Sequence, residues 1–349
     1  MAQKSDDISI VITNSNSFGY AVPEHMERLE KLGSVRRVSV PGDCHGKELA
    51  EAVGDANIVI SSGTPQFDRE FFACKPEMKL IARDGLGFNN VDVDAARQIG
   101  CYVTKVGKVI EREAVDECAV GEMIDLIRQF WLGSRAADEN RWLDRGGFVG
   151  LELRGRTVGI IGCGNIGTRV AEILRHGFGM RVLANDPVRD DEWAEKNGVT
   201  YVDLDTLLAE SDVITLHATL NPTSFHLVDD EFYAKAKPGF FLVNTARGDI
   251  LDQDATVRAL ESEVLKGLAI DATSVEPPAP DDPFLNNPKV LVTPHIGAYT
   301  VEALQGMGDI CVGNAELVAQ GLEPKNIVWQ LADDNAQQHA DRGPAHACH

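Results

Sequence analysis

Residues 157–187, TVGIIGCGNIGTRVAEILRHGFGMRVLANDP, constrain the fold more than any other stretch of the chain. The apolar run 158–161 has the length of a buried parallel strand. A turn with Gly162, Gly164 and Gly167 follows, then apolar residues at helical spacing: Ile166, Val170, Ile173 and Leu174. A second strand at 180–184 leads to Asp186. Each piece has a task in a dinucleotide site. Gly162 permits the tight turn out of the strand, Gly164 lets a pyrophosphate approach the backbone, and Gly167 lets helix and strand pack closely. The N–H groups of Asn165 and Ile166 face the phosphate charge at the helix start. The Asp186 carboxylate is placed to accept the hydroxyls of the adenosine ribose. Three glycines alone would say little. The preceding strand, the following helix and the acid beyond it favour a nucleotide site over a purely structural turn.

The 349 residues suffice for two domains with full cores, and 44% hydrophobic with 25% charged residues is the composition of a soluble globular protein. No apolar run has the length of a membrane span, and the first residues show no signal-peptide core. Seven scattered cysteines without a CxxC spacing point to reduced thiols in a cytoplasm, rather than disulfides or a zinc site. No metal site is expected; His339, His346, Cys348 and His349 lie in a tail, 332–349, that lacks apolar periodicity and reads as disordered. A net charge of −21 disfavours nucleic acid as a partner, and fits either solubility or a high-salt habitat.

Strand-like and helix-like runs alternate through the first hundred or so residues, with strands at 8–13, 35–40, 58–61, 79–82 and 102–104 and helices at 23–31, 47–53 and 92–99. Residues 111–131 read as one long helix, followed by a polar loop carrying Trp142 and Phe148, a surface or a subunit contact. Beyond the glycine turn, strands are expected at 213–217, 240–244, 268–271 and 290–293, with helices at 204–209, 229–234 and 252–261 between them and 301–319 last. The fold class is therefore α/β, with parallel sheets and crossover helices.

Three segments after the glycine turn carry candidate chemistry: VNTARGDILD with Arg247, AIDATSVEPP with Asp271 and Glu276, and VTPHIGAYT with His295. Ligands of open α/β sheets bind beyond the carboxyl ends of strands, where all three segments lie. Arg, Glu and His together suit reduction of a 2-keto acid by hydride. A guanidinium grips the substrate carboxylate. An imidazolium gives a proton to the keto oxygen, and a carboxylate on its other nitrogen orients it and raises its pKa. Singly, Arg247 could pair with Asp249 or Asp252, Glu276 could be a solvated acid and His295 a packed histidine. As a set beside a dinucleotide turn, those readings lose ground.

From residue 79 to 329 the chain resembles the D-isomer-specific 2-hydroxyacid dehydrogenases, through GLGFNNVDVDAA, VGIIGCGNIG, FGMRVLANDP, SDVITLHATLNPTS, KPGFFLVNTARG, DATSVEP and TPHIGAYT. The resemblance implies an NAD-dependent oxidoreductase in which Arg247 holds the substrate and Glu276 orients the acid/base His295. It implies that Asp271 meets the nicotinamide carboxamide and that Thr245 and Ala246 line the nicotinamide. Thr219 and Gly297 would complete the cofactor contacts, and N–H groups of Gly85, Leu86 and Gly87 would meet the substrate carboxylate. Two doubly wound parallel-sheet domains are implied: a Rossmann cofactor domain, 106–295, inserted into a flavodoxin-like substrate domain of 1–105 and 296–331. The cleft would close by hinging at the two crossings, and the helix from Glu111 would join a homodimer.

The chain departs from the family at His217-Ala218-Thr219-Leu220-Asn221, where Thr219 replaces a customary proline, and at Lys105 and Lys108, where a proline-containing turn is common. The related formate dehydrogenases carry glutamine in place of Glu276. Another function class remains open: NAD(H)-sensing corepressors share this fold and even its catalytic residues. Only about twenty residues follow Trp329, too few for a regulatory domain.

Overall fold

Strands whose residues are apolar on both faces need helices on both sides, and the chain supplies them in alternation. The computed structural model describes residues 8–330 apart from Asn16 and Lys108. Lys108 and the tail 332–349, with its histidines and Cys348, lie outside the described residues. The chain divides into two units, one comprising the residues up to Glu111 and from Thr300 onward, the other Arg112–Tyr299.

The first unit runs β1 (Ser9–Thr13), α1 (Glu24–Glu30), β2 (Ser34–Val38), α2 (Gly46–Val53), β3 (Ile58–Ser61), α3 (Arg69–Cys74), β4 (Leu80–Arg83), α4 (Val93–Gln98) and β5 (Tyr102–Thr104). Its sheet is wholly parallel in the order β2-β1-β3-β4-β5, the flavodoxin-like doubly wound arrangement.

The second unit begins with α5 (Arg112–Arg128) and α6 (Phe130–Asp138). It continues through β6 (Thr157–Ile161), α7 (Asn165–Glu172), β7 (Arg181–Asn185), α8 (Asp191–Asn197), β8 (Val199–Tyr201), α9 (Leu204–Glu210) and β9 (Val213–Leu216). It ends with α10 (Asp230–Lys235), β10 (Phe240–Asn244), α11 (Gln253–Glu261), β11 (Leu265–Ile270) and β12 (Val290–Val292). Seven parallel strands order as β12-β11-β10-β9-β6-β7-β8. This is the Rossmann order with one strand added, and its topological switch point lies between β6 and β9. The core continues on both faces: Leu183, Ile214 and Leu242 pack on one, Val158, Val182 and Val243 on the other. Each fully buried side chain of this size contributes about 1.5–3 kcal/mol.

After the second unit the chain returns as α12 (Val301–Ala319), whose Cys311, Val312 and Ala315 join Ile10, Ile12 and Leu80 in the first unit's core. Ile327 then bridges Thr104 in antiparallel fashion. Among the described residues no helix is long and apolar enough to cross a membrane.

Aspartates start many of the helices. Asp68, Asp92, Asp190, Asp203, Asp229 and Asp252 each accept an N–H of the first turn, as Thr300 does for α12. Such a cap is worth about 1 kcal/mol, so part of the acidic composition serves the fold.

The long helix expected over 111–131 is two helices. Gln129 adopts the left-handed conformation, φ 54°, and the Asp125 carboxylate accepts the Trp131 N–H at 2.8 Å, so α6 starts as a separate helix. The apolar spacing runs through the break, so periodicity does not reveal it. Much of the expected polar loop is also ordered, as α6 and a 3-10 turn at Trp142–Gly147. The helices α3 and α8 and the edge strand β8 have no counterpart among the expected elements. Nor does the early start of β11, where Lys266 is exposed and interrupts the apolar run.

Candidate active site

The Gly162 turn meets the loop after β9 at the switch point. Gly162 has φ 88°, and a Cβ there would lie 2.4 Å from the Ala218 nitrogen. A Cβ on Gly167 would lie 2.0 Å from the Gly162 carbonyl oxygen, so the start of α7 is pressed onto the turn. Gly164 faces open space, with nothing within 4 Å of where its Cβ would be. Asn165 opens α7, whose amino end carries the positive end of the helix dipole, and Ile166 follows. Asp186 stands just past β7. Its carboxylate accepts the N–H groups of Cys163 and Val188, each at 2.7 Å, which pins the glycine turn to the end of β7. Open space at Gly164, a helix amino end and a carboxylate at the neighbouring strand end fit a dinucleotide.

Thr219 sits in a laced loop. Its carbonyl accepts from Ser224 Oγ at 2.7 Å and Asn221 Nδ2 at 3.2 Å, while the Asn221 side chain accepts from the Thr223 N–H and hydroxyl. These side chains supply the restraint that a proline would give. His217 before them bonds Thr215 Oγ1 at 2.9 Å, and burial pushes its pKa down to about 4, so it is neutral.

The segment after β10 carries Thr245, Ala246 and Arg247. Buried Asn244 braces it: its Oδ1 accepts the Ala246 N–H at 3.0 Å and its Nδ2 donates to the Arg247 carbonyl at 2.9 Å. Thr245 Oγ1 is buried and lacks a hydrogen-bond partner among the described residues. Arg247 donates to its neighbour's carbonyl, Ala246 O, at 2.7 Å, and pairs with neither Asp249 nor Asp252. Gly248 allows the next loop to close over it; a Cβ would lie 2.2 Å from the Ser274 nitrogen. Sequence reasoning missed both Asn244 and Gly248. The glycine beside the arginine was the available signal.

Glu276 and His295 meet. Nδ1 of His295 lies 2.8 Å from Glu276 Oε2 and 2.9 Å from Oε1. The Glu276 hydrogen bond and charge raise the His295 pKa above its ordinary value, against the opposing effects of burial and of the Arg247 charge. That last influence places Arg247 within electrostatic reach of the imidazole. His295 has φ 54°, a left-handed conformation costing a non-glycine residue about 1–3 kcal/mol. Asp271, only 3% exposed, holds it there. The Asp271 carbonyl accepts the His295 N–H at 2.9 Å, and its carboxylate accepts those of Ile296 and Gly297, both at 2.8 Å. The Asp271 carboxylate and the Gly297 N–H thus serve the loop itself.

In the other unit, Gly85, Leu86 and Gly87 follow β4 at its carboxyl end, and the Gly85 carbonyl accepts the Val106 N–H. Lys105 places its ammonium 4.9 Å from the centre of the Phe88 ring.

Residues 120–297 match the family model for the D-isomer specific 2-hydroxyacid dehydrogenase, NAD binding domain, about half of the chain. A glyoxylate reductase of Korarchaeum cryptofilum is 33% identical over 81% of this chain and 86% of its own. The chain belongs to the D-isomer-specific 2-hydroxyacid dehydrogenases. A D-3-phosphoglycerate dehydrogenase of Archaeoglobus fulgidus is 36% identical over 81% of this chain, which spans about half (53%) of that longer protein. The D-lactate dehydrogenase of Aquifex aeolicus, solved with NAD and lactic acid, superposes with a TM-score of 0.76 at 27% identity over 89% of this chain and 96% of that one. NAD is the cofactor of this chain, and the glycine turn, Asp186 and the ends of β9 to β12 all lie in its NAD-binding domain.

Proposed function

We propose that this dehydrogenase interconverts a 2-keto acid and its D-2-hydroxy acid, with His295 as the acid/base. The observation that carries the reading is the Glu276–His295 pair on a strained loop, within electrostatic reach of Arg247. NADH, when bound, supplies the hydride. The Gly162, Gly164 and Gly167 turn with the amino end of α7 would take the pyrophosphate. Asp186 would take the adenosine ribose, with Thr219 beside it. Thr245, Ala246, Asp271 and Gly297 would surround the nicotinamide end, where the unpartnered Thr245 hydroxyl offers a hydrogen bond.

Arg247 grips the substrate carboxylate through its planar fork, and the N–H groups of Gly85, Leu86 and Gly87 are further proposed partners of that carboxylate. His295 keeps a proton on Nδ1 for Glu276, so Nε2 is the nitrogen that gives a proton to the keto oxygen and takes it back in oxidation. The substrate domain is proposed as the unit containing β1–β5 and α12.

The functional unit is proposed to be a homodimer built on α5, α6 and the turn that follows. Phe130, Trp142, Leu143 and Val149 crowd this region and are all more than half exposed, Leu143 at 96%. Light scattering of the wild type and of Leu143→Glu checks it. A cytoplasmic location is proposed with it, in keeping with the free thiols of the six described cysteines.

The direct test is turnover of a panel of 2-keto acids with NADH. Reduction to the D product is expected. NADH binding without turnover of any member would leave a sensor in place of an enzyme.

A further inference from the structure

Glu122 projects from α5 into the interior and is 6% exposed. Its Oε1 lies 2.7 Å from the Thr293 hydroxyl, which lies 2.6 Å from Asp271 Oδ1. One hydroxyl thus stands at hydrogen-bond distance from two carboxyl groups. It carries a single proton and can donate to only one of them. The other contact at such a distance requires a proton on the carboxyl itself. Both carboxyl oxygens of Asp271 already accept main-chain N–H groups, Oδ1 from Ile296 and Oδ2 from Gly297, so Asp271 is the acceptor of the pair. Glu122 Oε2 is buried and lacks a hydrogen-bond partner among the described residues, which favours the neutral acid.

We infer that Glu122 is a protonated carboxyl that positions His295: it donates to Thr293, Thr293 donates to Asp271, and Asp271 fixes the main chain at His295 and the two residues after it. The strained φ of His295 needs such a fixed neighbourhood. The groups acting on Glu122 agree with the assignment. Burial is the largest influence and favours the neutral acid, as do the two nearby acidic charges, Asp271 at the end of β11 and Asp125 on its own helix; only a hydrogen bond donated to Glu122 by Thr293 or Cys118 would favour the anion. Together they push the Glu122 pKa up to about 8. Cys118, whose Sγ lies 3.8 Å from Glu122 Oε1, is itself held as a thiol by burial. The inference rests on the reading of His295 as acid/base, but its protonation half can be tested without turnover.

The first measurement is thermal unfolding of the wild type and Glu122→Gln against pH. A buried acid that keeps its proton in the folded state binds more protons folded than unfolded between its two pKa values, so stability falls with rising pH in that window. The wild-type Tm should therefore drop relative to Glu122→Gln from about pH 5 to about pH 8 and level off above. A constant difference, or one that grows in the wild type's favour, overturns the protonated state.

The second measurement is an NMR titration of the His295 ring, with kcat, in Glu122→Gln and Glu122→Leu. The amide can still donate to Thr293, so the Gln variant should keep a raised His295 pKa and kcat within about threefold. The Leu variant loses the donor. Its His295 pKa should fall toward the ordinary value and its kcat by about fivefold to tenfold, the scale of one buried hydrogen bond, with the KM for NADH unchanged. A Leu variant with the wild-type His295 titration overturns the positioning role. Absence of turnover in the wild type would count against the enzyme reading alone, since the Tm and NMR results stand without it.

Discussion

One nitrogen of His295 faces both carboxylate oxygens of Glu276, at 2.8 and 2.9 Å. The carboxylate is thus placed to stabilise the imidazolium and to fix which nitrogen faces the ligand side. The proposed acid/base chemistry turns on that contact, on Arg247 within its electrostatic reach and on the three loops after β10, β11 and β12 that carry these residues.

Reduction uses protonated His295, so its rate should fall as pH rises through the raised His295 pKa, while oxidation should rise there. Glu276→Gln removes the largest raising influence. The limb of the reduction profile should move to lower pH by roughly one unit, with activity surviving below it. His295→Ala should lose about 10²–10⁴-fold at every pH. An unmoved limb in the paired pH–rate profiles would make Glu276 a solvated acid.

Arg247→Lys keeps the charge and loses the fork. With the carboxylate no longer held in plane, kcat should fall as well as KM rise, and NADH affinity should stay near its wild-type value. Steady-state kinetics with a separate NADH titration reads this; an unchanged kcat/KM would remove Arg247 from the substrate site.

Asp186 should make the enzyme prefer NADH, because its carboxylate repels a ribose 2′-phosphate. Arg189 is the nearby cation that could offset it, but it bonds Asp191 at 2.9 and 3.1 Å and stacks 5.1 Å from the Tyr201 ring. Comparable kcat/KM for NADPH and NADH would overturn the assignment.

A phosphorylated substrate such as 3-phosphoglycerate should be oxidised poorly. The end of β3 and the loop after it read Ser61-Ser62-Gly63-Thr64, without a cation of their own. Ser61 Oγ donates to the Thr64 carbonyl at 3.1 Å, Ser62 Oγ to the Asn14 carbonyl at 2.7 Å, and Arg83 to the carbonyls of both serines. A direct comparison of 3-phosphoglycerate with unphosphorylated D-2-hydroxy acids tests this, and efficient turnover of the phosphate ester would refute it.

Gly248→Ala should harm both stability and catalysis. The new Cβ meets main-chain atoms of Thr273 and Ser274, which cannot yield as a flexible side chain would. Overpacking of this kind costs about 1–3 kcal/mol, and here it pushes the Arg247 loop away from the Glu276 loop. Urea unfolding and kcat should fall together; a variant with both unchanged would show that the two loops need no such closeness.

Much of this protein is legible in local sequence patterns alone. The run at 157–187 carries a strand, a turn only glycine accommodates, a helix and an acid, each encoded by neighbours in sequence. Residues 240–244 and 301–319 show their bounds in the sequence, because β10 is apolar throughout and α12 keeps one helical period. Arg247, Glu276 and His295 are legible because each follows a recognisable strand. Contacts between loops are not. Asn244 bracing Arg247, Gly248 under Ser274, Asp271 pinning the strained main chain at His295, and the chain of carboxyls from Glu122 through Thr293 depend on how the chain folds back on itself. They exist because strand order brings the ends of β10, β11 and β12 side by side with α5 packed against them. Nor does periodicity reveal the break at Gln129, since a left-handed residue and one carboxylate bond interrupt a helix without disturbing its apolar spacing. Propensity and turn chemistry act over a few residues, whereas proton placement and close approach depend on which distant loops the sheet sets against each other.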